Sequence, residues 1–165
     1  MAPLPEHRLS EDEIRRLYDA HSAALMLYAR TFTADVSAAE DLVHGLFLKL
    51  LRSRPIVIGA ASAYLYRAIK NAALNLQRDH VKEAPLPEDE PWFTYRSGGL
   101  EIAVALQSAL ANLPAEQRET VIMRIWGGMT LEEVAEAEGV PLNTAASRYR
   151  YALAKMRDTL KPYIG

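Results

Sequence analysis

The stretch KEAPLPEDEPWFTYRSGG, residues 82–99, constrains this chain more than any other. It holds three prolines, a string of acids and no helical repeat, so it reads as an extended linker that divides the 165 residues. On either side of it, nearly every periodic segment places apolar residues at the 3.6-residue spacing of a helix, and none shows the sustained alternation of a strand. The expected fold is all-α. It has a three-helix unit over 1–81, the linker over 82–99, and a four-helix unit over 100–165 that is small but within the range that folds alone.

Start signals place the helices. Ser10 with Glu13 forms a capping box before Ile14, Leu17, Leu25 and Tyr28, in a helix expected to end near Thr33. Ser37 with Glu40 repeats the signal before Leu42, Val43, Leu46, Phe47, Leu50 and Leu51, and Pro55 closes that helix. After the apolar link IVIGAA, a third helix is expected from Ala63 to Val81, with Leu65, Ile69, Ala72 and Leu76 inward. Beyond the linker come a helix near Leu100 to Asn112 and another launched by Pro114 and ended by Gly127 and Gly128.

Charge is uneven along the chain. Residues 1–48 carry 4 basic and 8 acidic side chains, 49–82 carry 7 and 1, 83–142 carry 3 and 11, and 143–165 carry 5 and 1. Two basic blocks in acidic surroundings suit a protein that touches a polyanion at two places and repels it elsewhere. The chain has no cysteine, which removes disulfides and thiolate chemistry and suits a reducing cytosol. No stretch approaches the roughly 18 apolar residues of a membrane span, so a soluble, cytoplasmic protein without membrane insertion is expected. The four histidines, His7, His21, His44 and His80, are scattered, and Glu132 and Glu133 point in different directions on a helix. No enzyme, metal or cofactor is expected.

The second basic block sits in TLEEVAEAEGVPLNTAASRYRYALAKMR, residues 130–157. Thr130 caps a short helix through Glu138, Gly139 permits a tight turn, and Asn143 or Thr144 caps a second helix. That is the order of a helix-turn-helix. On the second helix Ala145, Tyr149, Ala152, Leu153, Met156 and Leu160 share the core side, leaving Ala146, Ser147 and Arg150 opposite, with Arg148 and Lys155 at the margin. Small residues at the exposed first turn let such a helix enter a major groove, with later cations near phosphates. On the third helix, Tyr64, Arg67, Asn71, Asn75 and Arg78 follow steps of 3, 4, 4 and 3 and form one polar stripe. Interleaved aromatic, amide and cationic groups suit a separated nucleic-acid strand.

Taken together, AAEDLVHGLFLKLL, SAYLYRAIKNAALNLQRDH and LPAEQRETVIMRIWGGMTLEEVAEAEGVPLNTAASRYRYALAKMR resemble the sigma-70 family of bacterial transcription initiation factors. The resemblance is to the minimal extracytoplasmic-function (ECF) type, which keeps only the second and fourth conserved regions, and it covers nearly the whole chain. It implies a factor that binds core RNA polymerase and directs it to promoters through −10 and −35 elements. Asp41, His44, Phe47 and Leu48 would contact a coiled coil of the largest polymerase subunit. Tyr64, Arg67, Lys70, Asn71, Asn75 and Arg78 would open and hold the −10 strand. Thr144, Ala146, Ser147, Arg148, Arg150, Tyr151 and Lys155 would address the −35 element, and the acidic linker would thread toward the RNA path. The implied partners are core polymerase, promoter DNA and an anti-sigma factor.

The chain departs from the family pattern at several points. His44 and Gly45 stand where glutamine and glutamate are usual, Asn75 where aspartate is common, and Ala146 where a basic residue is usual. Glu138 replaces an apolar residue before the turn glycine, so that corner is expected to be partly exposed. The alternative these departures favour is a sigma-like mimic that captures an anti-sigma factor without initiating transcription. A plain helix-turn-helix regulator leaves the Tyr64–Arg78 stripe unexplained. On the promoter reading, the free chain binds DNA weakly, its halves held apart or masked.

Overall fold

The computed structural model describes residues 4–80, 91–93 and 99–164. In chain order its elements are β1 (Glu6–Arg8), α1 (Glu11–Arg30), α2 (Val36–Ser53), β2 (Ile56–Ile58), α3 (Ala61–His80), α4 (Leu100–Ala111), α5 (Ala115–Val121), a π-helical turn (Ile122–Trp126), α6 (Leu131–Glu138) and α7 (Leu142–Ile164). The all-α expectation holds apart from one small ribbon. β1 and β2 pair antiparallel with His7 opposite Val57, and the Gly59 N–H donates to the Pro5 carbonyl beyond them. Three residues are too few to display an alternation, so periodicity could not find these strands. Their β-branched Ile56, Val57 and Ile58 are residues that favour extended backbone.

Helix starts follow their local chemistry. Ser10 and Glu13 make the full capping box of α1, and Thr130 and Glu133 make that of α6. For α2 the Ser37 expectation is corrected: Asp35 is the cap, its carboxylate accepting from the Ala38 N–H at 2.6 Å, and Ser37 lies inside the helix. Either residue type can cap, and Asp35 comes first in the chain. α3 begins at Ala61, and Ala73, not Ala72, takes the inward position, while Ala72 is exposed. α7 already runs from Leu142, with the Pro141 carbonyl accepting from Thr144 and Ala145, so Asn143 and Thr144 occupy its first turn and do not cap it.

Leu25, Tyr28, Val43, Leu50, Leu65 and Ile69 fill the first half, and Leu110, Ile122, Met123, Val134, Ala152 and Met156 fill the second. Each large apolar side chain removed from water contributes about 1.5–3 kcal/mol. In the second half, Arg118 ties α4 to α5 by donating to the carbonyls of Leu110, Ala111 and Leu113. The halves also pack on each other, α3 against α6 and α1 against the π-helical turn, and their buried residues form one continuous cluster. Most of the expected linker lies outside the described residues. Its described aromatic pair is not extended into solvent: Trp92 donates its N–H to Gln107 at 2.8 Å, and Phe93 stacks at a tilt on Trp126, 5.9 Å between centroids.

Candidate nucleic-acid interface

Three surfaces carry the residues singled out by sequence. The first is a groove of about 710 Å³ between α1 and α2, lined by Ile14, Tyr18, His44, Phe47, Leu48 and Leu51. His44 and Leu48 are exposed along it, and Asp41 is exposed one turn earlier on α2. Phe47 is 5% exposed and forms the groove floor, edge-on to Tyr18 at 5.1 Å. Leu51, expected in the apolar stripe, is 43% exposed beside Leu48. A wide apolar stripe on a surface helix exceeds what one packing face can cover, and the surplus meets solvent.

The second surface is the α3 stripe. Asn71, Asn75 and Arg78 are exposed, with Arg78 donating to the Asn75 amide oxygen, while Tyr64, Arg67 and Lys70 are half-buried. The reason is the second half of the chain. Arg67 donates to the Glu136 carbonyl at 3.1 Å, and the Lys70 ammonium sits 2.7 Å from the Glu119 carboxylate. Glu119 is only 5% exposed and also accepts from the Tyr28 hydroxyl at 3.2 Å. That hydroxyl is held protonated far above its usual range, first by burial and then by the Glu119 charge.

The third surface is α7. Arg150, Tyr151 and Lys155 are exposed, with the Arg150 guanidinium over the Tyr151 ring, while Thr144, Ala146, Ser147 and Arg148 are half-buried. The corner is partly exposed as expected, with Gly139 open to solvent beside a half-buried Glu138. Its side chain is 9% exposed, accepting from Arg148 at 3.2 Å and from the Thr120 hydroxyl. Burial raises its pKa above the ordinary carboxylate value, and Thr120 and Arg148 pull it part of the way back. A carboxylate is accommodated at this corner because these two donors satisfy it.

These placements bring two surfaces together. Arg67, Lys70 and Asn71 of α3 and Arg148 of α7 line one cleft of about 290 Å³, with Glu116, Glu119 and Glu138 on its walls. Sequence reasoning missed the residues that tie α6 to the start of α3: Ser62, whose hydroxyl donates to Glu133 at 2.6 Å, and Ala60, whose N–H donates to Glu136 at 2.7 Å. The signal for them was the alternation of charge blocks, whose acidic 83–142 segment complements the basic 49–82 segment.

At the back of the contact His21 is buried, its Nδ1 3.1 Å from the Tyr66 hydroxyl. Burial lowers its pKa below the usual 6.5, and the Glu133 charge only partly offsets this. The folded chain thus keeps this imidazole neutral, where the unfolded chain protonates it as pH falls through 6.5. This contribution to stability is full above that pH and is lost as pH falls toward the folded-state pKa. In urea titrations, His21→Gln is expected to flatten the fall in unfolding free energy below pH 6.5; an unchanged slope would contradict it.

Among the described residues no group of three or more acidic or imidazole side chains is placed to hold a metal ion, and no helix is long and apolar enough to cross a membrane. Residues 17–83 match the model of sigma-70 region 2, and 103–156 match that of sigma-70 region 4. The chain is 30% identical over 158 residues to the ECF RNA polymerase sigma factor SigL of Mycobacterium tuberculosis, covering 90% of this chain and 89% of that protein. It is 24% identical to the RNA polymerase sigma factor SigZ of Bacillus subtilis, covering 90% and 87%. Its fold is similar to that of the sigma factor RpoE of Bartonella quintana, solved in complex with the anti-sigma factor NepR, with a TM-score of 0.71 at 23% identity over 92% of this chain and 98% of that one. CnrH, solved with the cytosolic domain of CnrY, is similar at 0.61 and 22% identity, covering 93% and 91%. With regions 2 and 4 both present and a basic surface on each, the chain belongs to the sigma-70 family, as an ECF sigma factor that directs RNA polymerase to promoters in transcription initiation.

Proposed function

We propose that the three surfaces divide the work of initiation. Region 2 comprises 1–81 and region 4 comprises 100–165, with 82–99 as the connection that threads toward the RNA path. Asp41, His44 and Leu48 dock on core polymerase, with Phe47 beneath them. Tyr64, Arg67, Lys70, Asn71, Asn75 and Arg78 take the −10 strand, with cations on phosphates and the aromatic and amides on bases. Thr144, Ala146, Ser147, Arg148, Arg150, Tyr151 and Lys155 address the −35 duplex from the major groove. An anti-sigma factor is a further partner, as NepR is for the Bartonella RpoE. The protein acts without catalysis of its own, beside a cytoplasmic polymerase.

The observation that carries this reading is the pair of basic surfaces, one per region, on α3 and α7. Scale then demands a rearrangement. The −10 and −35 elements lie about 25 base pairs apart, or roughly 85 Å of duplex at 3.4 Å per pair. Arg67 and Arg148 share one cleft of about 290 Å³ here. The two regions therefore separate on the promoter, and the cleft is the resting form. The Glu138–Arg148 pair lies within region 4, and withdrawal of α3 from the cleft gives DNA access to the guanidinium.

Run-off transcription with core polymerase tests the reading. Specific transcripts are expected from a cognate promoter, and tight anti-sigma binding without core binding would instead favour the mimic. Arg148→Ala is expected to weaken closed-complex affinity about tenfold, the scale of one lost charge-assisted contact, while Arg67→Ala slows strand opening more than binding. Equal closed-complex defects from the two variants would contradict the division of labour.

A further inference from the structure

One carboxylate joins three helices of region 4. Glu138 ends α6, and its two oxygens have separate partners: Oε1 meets the Thr120 hydroxyl of α5, and Oε2 accepts from Arg148 Nη1 of α7 at 3.2 Å. Thr120 is fully buried, so this bridge is anchored in the region 4 core. Gly139, at φ +68°, and Val140 donate their N–H groups back to the Glu136 and Ala135 carbonyls, which fixes the corner on which Glu138 stands. Arg148 is the first charged residue of α7, since Leu142 to Ser147 carry none. Its side chain is 27% exposed, whereas Arg150, Lys155 and Arg157 farther along are exposed.

Most hydrogen bonds to DNA go to phosphate and sugar and carry no sequence information, and a mobile cation on a recognition helix is drawn to them. An arginine held at one setting instead presents its planar fork to one base step, where guanine O6 and N7 are the matching acceptors. A single bond to Glu138 leaves the guanidinium donors enough for such a pair. We propose that Glu138 is a positioning residue for promoter specificity: it fixes the Arg148 side chain so that the guanidinium reads a guanine in the −35 duplex and does not settle on a phosphate. The proposal rests on the assignment of α7 to that duplex. Both members of the pair lie within region 4, so it is kept when α3 withdraws. The carboxylate charge beside Arg148 also repels phosphates, which narrows where the guanidinium can bind.

Holoenzyme assembled from core polymerase and the full-length chain tests this, by closed-complex affinity on a cognate promoter and on single base-pair variants of its −35 element. The chains compared are wild type, Arg148→Ala, Glu138→Leu, Glu138→Gln and the Glu138→Leu/Arg148→Ala double variant. Leucine is tolerated at 138 because that position shares a face of α6 with fully buried Val134, and Thr120 keeps the Glu116 carbonyl as acceptor at 2.8 Å. Thermal melting checks the fold. At one G·C pair, wild-type discrimination of about tenfold is expected to be absent in Arg148→Ala and about threefold or less in Glu138→Leu. Discrimination elsewhere in the element stays, the slope of log affinity against log salt for Glu138→Leu steepens by about one, and the double variant matches Arg148→Ala. Glu138→Gln, which keeps an oxygen for Arg148, restores most of the discrimination. Wild-type discrimination by Glu138→Leu at the pair that Arg148→Ala loses overturns the positioning role and leaves the α7 assignment standing. A uniform defect at every pair, or one that adds to that of Arg148→Ala, makes Glu138 a structural residue only and overturns it too. If Arg148→Ala alters the discrimination of no pair, the α7 assignment and the proposal fall together.

Discussion

Leu48→Arg is expected to lower affinity for core polymerase about a hundredfold, roughly 2.7 kcal/mol, while leaving the fold intact. Leu48 is 53% exposed on the rim of the groove whose floor is Phe47, so arginine there costs little stability, within about 0.5 kcal/mol. On the docked surface the same arginine places a charge where an apolar contact is buried. Fluorescence titration of the labelled chain with core enzyme reads the loss, and thermal melting reads the intact fold. Phe47→Ala serves as the contrast. Its ring is buried against Tyr18, so truncation should cost stability first, by about 3–5 kcal/mol. Wild-type affinity in the Leu48 variant would move the polymerase contact elsewhere.

Tyr66→Ala is expected to lose about 3–5 kcal/mol in urea unfolding. Tyr66 is fully buried, packs edge-on against Tyr28 and His21, and lies where a Cβ on Gly127 would come within 2.6 Å of its hydroxyl. It thus sits at the junction of region 2 and region 4. Tyr66→Phe keeps the ring and loses only the hydroxyl contact to His21, and should cost about 1 kcal/mol. Similar losses from both variants would mean that the ring does not fill the space the packing gives it.

How far the sequence revealed this molecule depends on the range of the signal. The Ser10–Glu13 capping box is local and could be read directly; apolar periodicity gave the α2 stripe but carried it on to Leu51, which is exposed. The stripe on α3 and the small first turn of α7 were legible for the same reason, since side-chain direction follows helical steps. What escaped depended on partners far along the chain. β2 exists because Glu6–Arg8 lies beside it, and the Glu138 carboxylate is held inward because Thr120 and Arg148 converge on it. Read locally, Glu138 is an acid at a turn, and Ser62 and Ala60 are two residues at a helix start. Only the approach of α6 to α3 turns them into a closed surface.

In the proposed function, region 2 and region 4 rest against each other in the free chain and part on polymerase. The chain has no cysteine, so Asp12→Cys and Thr159→Cys, both at exposed helix positions, give a unique pair of spin labels. Their distance distribution is to be measured in the free protein and in complex with core polymerase and promoter DNA. One compact distribution is expected for the free chain, with a shift outward by tens of ångströms in the complex. A distribution that stays put while transcription proceeds would contradict it.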